Sequence, residues 1–399
     1  MIFVIEVKGK YNTAIVFTND YQEDAITQIR ELCDHEFTKG EKIRVMPDYH
    51  PGVGCTVGTT MTITDKVVPN LVGVDIGCGM TVSFIKKNKD EIDYAQVDEV
   101  IRKKVPSGFK IHSKNSRHRF VHSIDLTKIY APFDMERALN SIGTLGGGNH
   151  FIELNEVLDD TVALVIHSGS RNLGKQIAEY YQNFAYDELI DLGNKKRELK
   201  ERLIKEGREE GFEEEIKKLK KPNIKRELAY LENESFRRYL NDMSIAQKYA
   251  ELNRRAMVDI ITSNMGWGVT DSFSTIHNYI DMENMILRKG AISAQKGERV
   301  IIPINMRDGS IIAYGKGNPD WNYSGPHGAG RLMSRTKARK TVSMKDFQQS
   351  MKGIWSTSVK KSTLDESPFV YKNMDEIIEN TKDTIEVAQI IKPLYNFKA

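Results

Sequence analysis

The run Thr161-Val162-Ala163-Leu164-Val165-Ile166 leads without a break into His167-Ser168-Gly169-Ser170-Arg171. An apolar stretch this short, closed by glycine and small polar residues, has the length of a strand rather than a helix. It predicts a buried strand that delivers His167 at its polar end. Upstream, residues 43–84 alternate β-branched runs with glycines, which predicts strands joined by constrained turns. Met1 to Phe17 reads as strands flanking a polar turn near Lys8-Gly9-Lys10. Short helices fit Asp24–Leu32 and Glu91–Lys104, the second ended by Val105-Pro106-Ser107-Gly108. Downstream, helical spacing runs from Leu173 to about Ile261. The β character then returns at Ile276-His277, Val300-Ile301-Ile302-Pro303 and Ile311-Ile312-Ala313-Tyr314.

Within the helical stretch the composition shifts to charge: Lys195-Lys196-Arg197-Glu198, Glu213-Glu214-Glu215 and Lys217-Lys218. Leu199, Leu203, Ile216 and Leu219 leave only thin apolar stripes, and Pro222 breaks the run. This predicts a charged helical hairpin inserted within residues 175–260, its charge a solvated face rather than an RNA-binding one. Candidate ligands stand on both sides of the insertion, so the flanking β-rich parts are expected to build one site. The fold class expected is α+β: one large domain over residues 1–399, with sheet layers carrying the site and helices outside.

The 399 residues are 40% apolar and 28% charged, enough for a real core. A net charge of +3 implies no general affinity for polyanions, so any nucleic-acid groove must be a local patch. Met1-Ile2-Phe3-Val4-Ile5-Glu6 reaches an acid after a short apolar run without a basic leader, and no stretch approaches a membrane span. Three cysteines make no disulfide framework and favour a reducing compartment; the expectation is a cytoplasmic protein with no membrane partner.

Four of the nine histidines sit in stretches too glycine-rich and polar to be core. These are His150 after Gly146-Gly147-Gly148-Asn149, His167, His277 before Asn278, and His327 in Gly325-Pro326-His327-Gly328-Ala329-Gly330-Arg331. The turn Gly73-Val74-Asp75-Ile76-Gly77-Cys78-Gly79 adds a carboxylate and a thiol three residues apart, and a thiolate can bridge two metals. A lone Asp-x-x-Cys would be ordinary; the accompanying histidines make it a candidate metal centre of mixed N, O and S ligands. Cys33 and Cys55 lack that context and read as packing residues. His50, in Met46-Pro47-Asp48-Tyr49-His50, is a candidate for substrate contact, whereas His35, His112, His118 and His122 read as surface or accessory residues. His327, followed by small residues and by Arg331 and Arg335, is equally readable as a nucleophile on phosphorus or as a metal ligand.

Several of these stretches resemble the RtcB family of RNA ligases: Met46–His50, Val74–Met80, Gly146–Glu153, His167–Gly174 and His327–Arg335. Arg288-Lys289-Gly290-Ala291, Gly315-Lys316-Gly317-Asn318-Pro319 and Asp365-Glu366-Ser367-Pro368 match as well. The resemblance implies an RtcB-like fold and two manganese ions per chain. Asp75, Cys78 and His150 would hold one ion and Cys78, His167 and His277 the other. It implies that His327 carries GMP taken from GTP. The nucleotide would be surrounded by Asn149, His150, Phe151, Ile152 and Glu153, by His277 and Asn278, and by Pro303, Ile304, Asn305, Met306 and Ser310. His327, Gly328, Ala329 and Gly330 would complete that surround, with Lys398 and Tyr371 near the base. Arg171 would hold RNA phosphate. The implied substrates are RNA ends bearing a 3′-phosphate or 2′,3′-cyclic phosphate and a 5′-hydroxyl, and an archease-like activator would be a further partner. Pro303-Ile304-Asn305-Met306 replaces the family's Pro-Gly-Ser-Met, and Tyr49-His50-Pro51-Gly52-Val53-Gly54-Cys55 is divergent. Both departures fit a bacterial-type paralog serving RNA repair rather than tRNA splicing. Two other readings stand beside the ligase: a metal-dependent phosphoesterase that opens cyclic phosphate ends without joining, and a catalytically silent RNA-binding protein.

Overall fold

The computed structural model describes residues 4–158, 160–208, 212–218 and 223–398. The expected apolar start at Met1–Phe3, the stripe residue Leu219 and the helix-breaking Pro222 lie outside the described residues. The fold is α+β, built on two larger sheets.

The expected strand forms at Thr161–Ser168 and is buried along nearly its whole length. It is the third strand of a seven-stranded sheet. The order is Val269–Ile276, Gly79–Lys86, Thr161–Ser168, Phe151–Glu156, Ile385–Lys398, Gly309–Gly315 and Arg299–Asn305. Every pairing in it is antiparallel. The second sheet has six strands: Ile5–Lys8, Thr13–Val16, Ile43–His50, Val57–Thr62, Ile286–Lys289 and Asn278–Asp281. The chain crosses between the sheets at His277, since Ile276 ends a strand of one and Asn278 begins a strand of the other. Backbone hydrogen bonds lock the crossing: His277 N–H donates to the Cys78 carbonyl (2.9 Å) and Gly77 N–H to that of Asn278 (2.7 Å).

The residues expected as a hairpin insertion resolve into two long helices with short charged ones between them. Arg171–Ile190 and the 33-residue helix Asn233–Met265 bury apolar residues such as Ile177, Tyr181, Met243 and Tyr249 in the main core. Charge dominates only the helices Leu192–Lys205 and Phe212–Lys218. Cys33 and Cys55 are fully buried in the same core, as their sequence context suggested. Among the described residues no helix is long and apolar enough to cross a membrane.

Candidate active site

Strand register decides which side chains meet. His167 lies opposite Met80 on one neighbouring strand and opposite Phe151 on the other, and Ile276 lies opposite Gly79. Cys78 and His150 immediately precede two of these strands and His277 follows a third. Four elements therefore place four ligands at one edge of one sheet. The Cys78 sulfur is 3.5 Å from His150 Nε2 and 3.4 Å from His167 Nε2. His150 Nε2 is 3.0 Å from Asp75 Oδ2, and His167 Nε2 is 3.5 Å from His277 Nε2. Two groups can each surround an ion, Asp75–Cys78–His150 and Cys78–His167–His277, with the sulfur common to both.

The donor chemistry fits metal. With metal–nitrogen and metal–sulfur bonds as in zinc sites, tetrahedral ligands of one ion sit roughly 3.3–3.6 Å apart; the sulfur–imidazole and imidazole–imidazole spacings match this, and the Asp75–His150 pair is closer at 3.0 Å. His150 Nδ1 faces the Leu145 carbonyl at 2.8 Å and His167 Nδ1 that of Asn149 at 3.2 Å. With Nδ1–H donating, each Nε2 lone pair points into the cluster. Burial pushes His167 and His277 well below the usual histidine range, so both are neutral and able to ligate. Burial, and next the Asp75 charge, push the Cys78 thiol well up, which leaves its ionisation to an incoming cation. Burial works against the Asp75 carboxylate too, but with no ion in the cluster a proton on His150 Nε2 supplies a hydrogen bond and a charge that hold the carboxyl below its ordinary value, a part a cation takes over when Nε2 ligates it. The carboxylate needs glycine beside it: a Cβ on Gly169 would lie 2.1 Å from Asp75 Oδ1.

Residues with no ligand signature hold this cluster in place. Arg254, fully buried on the helix Asn233–Met265, donates to the carbonyls of Gly77 (2.8 Å) and Ser168 (2.9 Å) and to Thr81 Oγ1 (3.2 Å). Its neighbour Asn253 accepts from the N–H groups of Gly143 and Thr144 and donates to Ser168 Oγ and the Gly169 carbonyl. One turn of one helix thus ties together three of the loops around the cluster.

A cavity of about 750 Å³ opens from the cluster. Its walls include His167, His277, His327, Gly328, Ala329 and Gly330, and also Asn149, Phe151, Glu153 and Lys398. Pro303, Ile304, Asn305 and Met306 all line it, because a register shift between Pro303 and Asn305 interrupts the strict alternation of strand faces. Ile152, Ser310, Asn278 and His150 do not line it. Ile152 points to the opposite face of its strand, into a separate apolar cluster. Ser310 is buried. Asn278 braces the Asp75 turn, donating to the Asp75 carbonyl at 3.3 Å, and His150 belongs to the metal cluster. His50 lines the cavity.

At the inner end of the cavity, His327 packs on His277 with ring centroids 4.9 Å apart. Its Nδ1 lies 2.7 Å from Oδ2 of Asp48, a fully buried carboxylate that also accepts from the backbone N–H groups of His327 and Gly328. Also in the cavity wall, Glu366 accepts from Lys398 Nζ (2.5 Å) and Tyr371 Oη (2.9 Å). Burial alone would raise Glu366, but the Lys398 and Arg335 charges bring it down to about 2. Burial instead pushes Glu153 up to about 7, with Lys398 and Asn396 opposing. Arg171 sits behind the cluster, donating to Thr144 Oγ1 (3.0 Å) and to the Gly108 carbonyl (2.8 Å). Sequence reading assigned no role to Asp48, Glu366, Asn253 or Arg254. The first two stand in motifs quoted above, whereas the helical pair carries no local signal.

The family model described as tRNA-splicing ligase RtcB matches residues 28–131 and 128–399. The RNA-splicing ligase RtcB of Escherichia coli (strain K12) is 31% identical over 388 residues, 88% of each chain. The tRNA-splicing ligase RtcB of Aeropyrum pernix is 26% identical over 465 residues, covering 92% of this chain and 90% of its own. The RNA-splicing ligase RtcB of Mycobacterium tuberculosis is 24% identical over 419 residues, covering 84% and 91%.

Proposed function

The chain belongs to the RtcB family and is an RNA ligase; from that premise we propose that it uses GTP and two manganese ions to join RNA 3′-phosphate or 2′,3′-cyclic phosphate ends to 5′-hydroxyl ends through a guanylylated His327. The observation that carries this reading is the position of His327. Its Nδ1 lies at ion-pair distance from Asp48, without a hydrogen bond, so Nε2 is the nitrogen left to react, and its ring packs on a residue of the cluster.

Manganese in the cluster would neutralise phosphate charge and polarise phosphorus–oxygen bonds. Asp48, behind Nδ1, orients the ring and offsets the positive charge that develops as Nε2 attacks the α-phosphorus of GTP. The N–P bond forms, the bond to the β-phosphate oxygen breaks, and pyrophosphate leaves. A 3′-phosphate oxygen of RNA then attacks the same phosphorus and the N–P bond breaks, which returns the histidine. A 5′-hydroxyl attacks the RNA 3′-phosphorus, loses its proton and expels GMP, closing the phosphodiester. A cyclic phosphate end must first be opened by water to the 3′-phosphate. Glu153 and Glu366, with Lys398 beside them, would supply acceptors and a donor in the cavity wall to a guanine, which offers N–H donors and a carbonyl.

The test is covalent labelling. After incubation with α-labelled GTP and Mn²⁺, denatured wild type should retain label that acid strips and alkali spares, as for a phosphoramidate. His327→Ala should retain none. Undiminished label on His327→Ala would place the nucleophile elsewhere.

A further inference from the structure

Residues 100–124 hold seven lysines and arginines and no aspartate or glutamate, so the chain's net charge of +3 is a balance between this segment and a net-acidic remainder. Part of that charge walls a second cavity of about 630 Å³, lined by Lys103, Lys104, His112, Arg117, His118 and Arg119 among others. The carboxylate in its lining, Asp259, is held between His118 Nε2 and Arg119 Nη2, both at 2.9 Å, and Lys103 and Arg117 pair with Glu99 and Glu136 outside the lining, which leaves Lys104 as the wall's unpaired cation among the described residues. Placement at the end of the helix Tyr94–Lys104 would account for Arg102, Lys103 and Lys104, where cations meet the helix dipole. It does not account for Lys110, Lys114, Arg117 and Arg119, which lie beyond that helix. Among the described residues Lys104, Lys110 and Lys114 have no ion-pair partner.

The segment also touches the catalytic loops. Gly108 N–H donates to the Gly146 carbonyl (2.8 Å), and Arg171 Nη2 donates to the carbonyl of Gly108 (2.8 Å). Gly146 opens the turn that ends in Asn149 and the ligand His150. Next to Gly108 stands Phe109, whose ring is 94% exposed and so serves no packing purpose. Phe109 does not line the cavity but stands in the same basic segment, two residues before Ile111, which does; exposed aromatic faces combined with cations are how proteins hold single-stranded nucleic acid without reading its sequence.

We propose that this groove is the track along which a single-stranded RNA end approaches the metal centre, with a base stacked on Phe109 and phosphates held by the basic segment. The proposal rests on the ligase reading. It predicts tolerance of sequence, because the groove presents cations to phosphates rather than paired donors and acceptors to base edges.

The test uses a fluorescein-labelled single-stranded RNA and anisotropy titrations over a range of KCl concentrations, with GMP labelling of the same proteins as a measure of the intact nucleotide site. Lys104→Ala/Lys110→Ala/Lys114→Ala should bind more weakly and flatten the slope of log affinity against log salt by up to about 2. Phe109→Ala should weaken binding about tenfold with the slope unchanged, and Phe109→Trp should restore it. All of them should take GMP as wild type does. Variants that label normally and bind RNA as wild type does would overturn the groove while leaving the ligase reading intact. A wild type that joins no RNA ends at all would remove the ligase reading, and the groove with it.

Discussion

A carboxylate 2.7 Å behind His327 changes what that imidazole can do. Asp48→Asn keeps size and shape but removes the charge that offsets the developing imidazolium. GMP labelling should slow by about a hundredfold or more, while GTP affinity changes little; binding and single-turnover labelling measured side by side would separate the two. Cys78→Ala should lose both metals, because one sulfur serves two ligand groups, whereas Cys33→Ala and Cys55→Ala should keep full metal content. Full occupancy in Cys78→Ala would remove the bridge. Glu153 gives a pH dependence with a definite sign. Its folded pKa of about 7 lies above the unfolded value of roughly 4.3. The folded protein therefore binds the extra proton between those limits, and stability should fall as pH rises through that window. The decline is at most about 4 kcal/mol, and Glu153→Gln should flatten it in denaturant titrations from pH 4.5 to 7.5.

At the scale of elements, the decisive one is the helix Asn233–Met265. Asn253→Ala would leave the N–H groups of Gly143 and Thr144 and the Gly169 carbonyl without their partner. Orphaned buried groups cost about 1–3 kcal/mol each before relaxation. The expected outcome is a loss of about 2–4 kcal/mol together with weaker manganese binding, read by denaturation and by metal titration. A variant as stable as wild type with unchanged metal affinity would show that the loops hold themselves. This helix also marks where the sequence stopped being legible. The residues of the Cys78 cluster could be singled out because glycines and small polar residues surround them, a setting no core position needs. Ala250-Glu251-Leu252-Asn253-Arg254-Arg255 reads as an ordinary charged helical stretch, and only the tertiary fold turns Asn253 and Arg254 inward. The same limit explains the cavity wall. Strand alternation removes Ile152 from the cavity, while the irregularity after Pro303 brings consecutive residues to it, and neither the facing nor the irregularity can be read from residue types alone.

For the whole molecule, the question is whether ends are joined or merely trimmed. Given one RNA ending in a 2′,3′-cyclic phosphate and another beginning with a 5′-hydroxyl, the enzyme should produce a joined product only when GTP is present. A label placed in the terminal phosphate of the first RNA should appear at the junction, because the 5′-hydroxyl brings no phosphate. GTP-independent loss of that phosphate without joining would favour the phosphoesterase. The α+β class and the convergence of distant segments on one site were readable from ligands lying on both sides of the helical region. The division into two sheets was not, since it turns on a crossing at His277 that leaves no pattern in composition or periodicity.

The strand Ile385–Lys398 lies inside the seven-stranded sheet, between Phe151–Glu156 and Gly309–Gly315, with Lys398 opposite Phe151. During synthesis, every metal ligand and His327 leave the ribosome before the strand that separates those two neighbours. Until it arrives, the sheet exists as two pieces with unpaired edges, and closing it requires contacts between residues far apart in the chain. The nascent protein can therefore bring the residues of the Cys78 cluster together while the cavity beside them is still open on one side, so the reaction with GTP proposed for that cavity has to wait for the strand that carries Lys398.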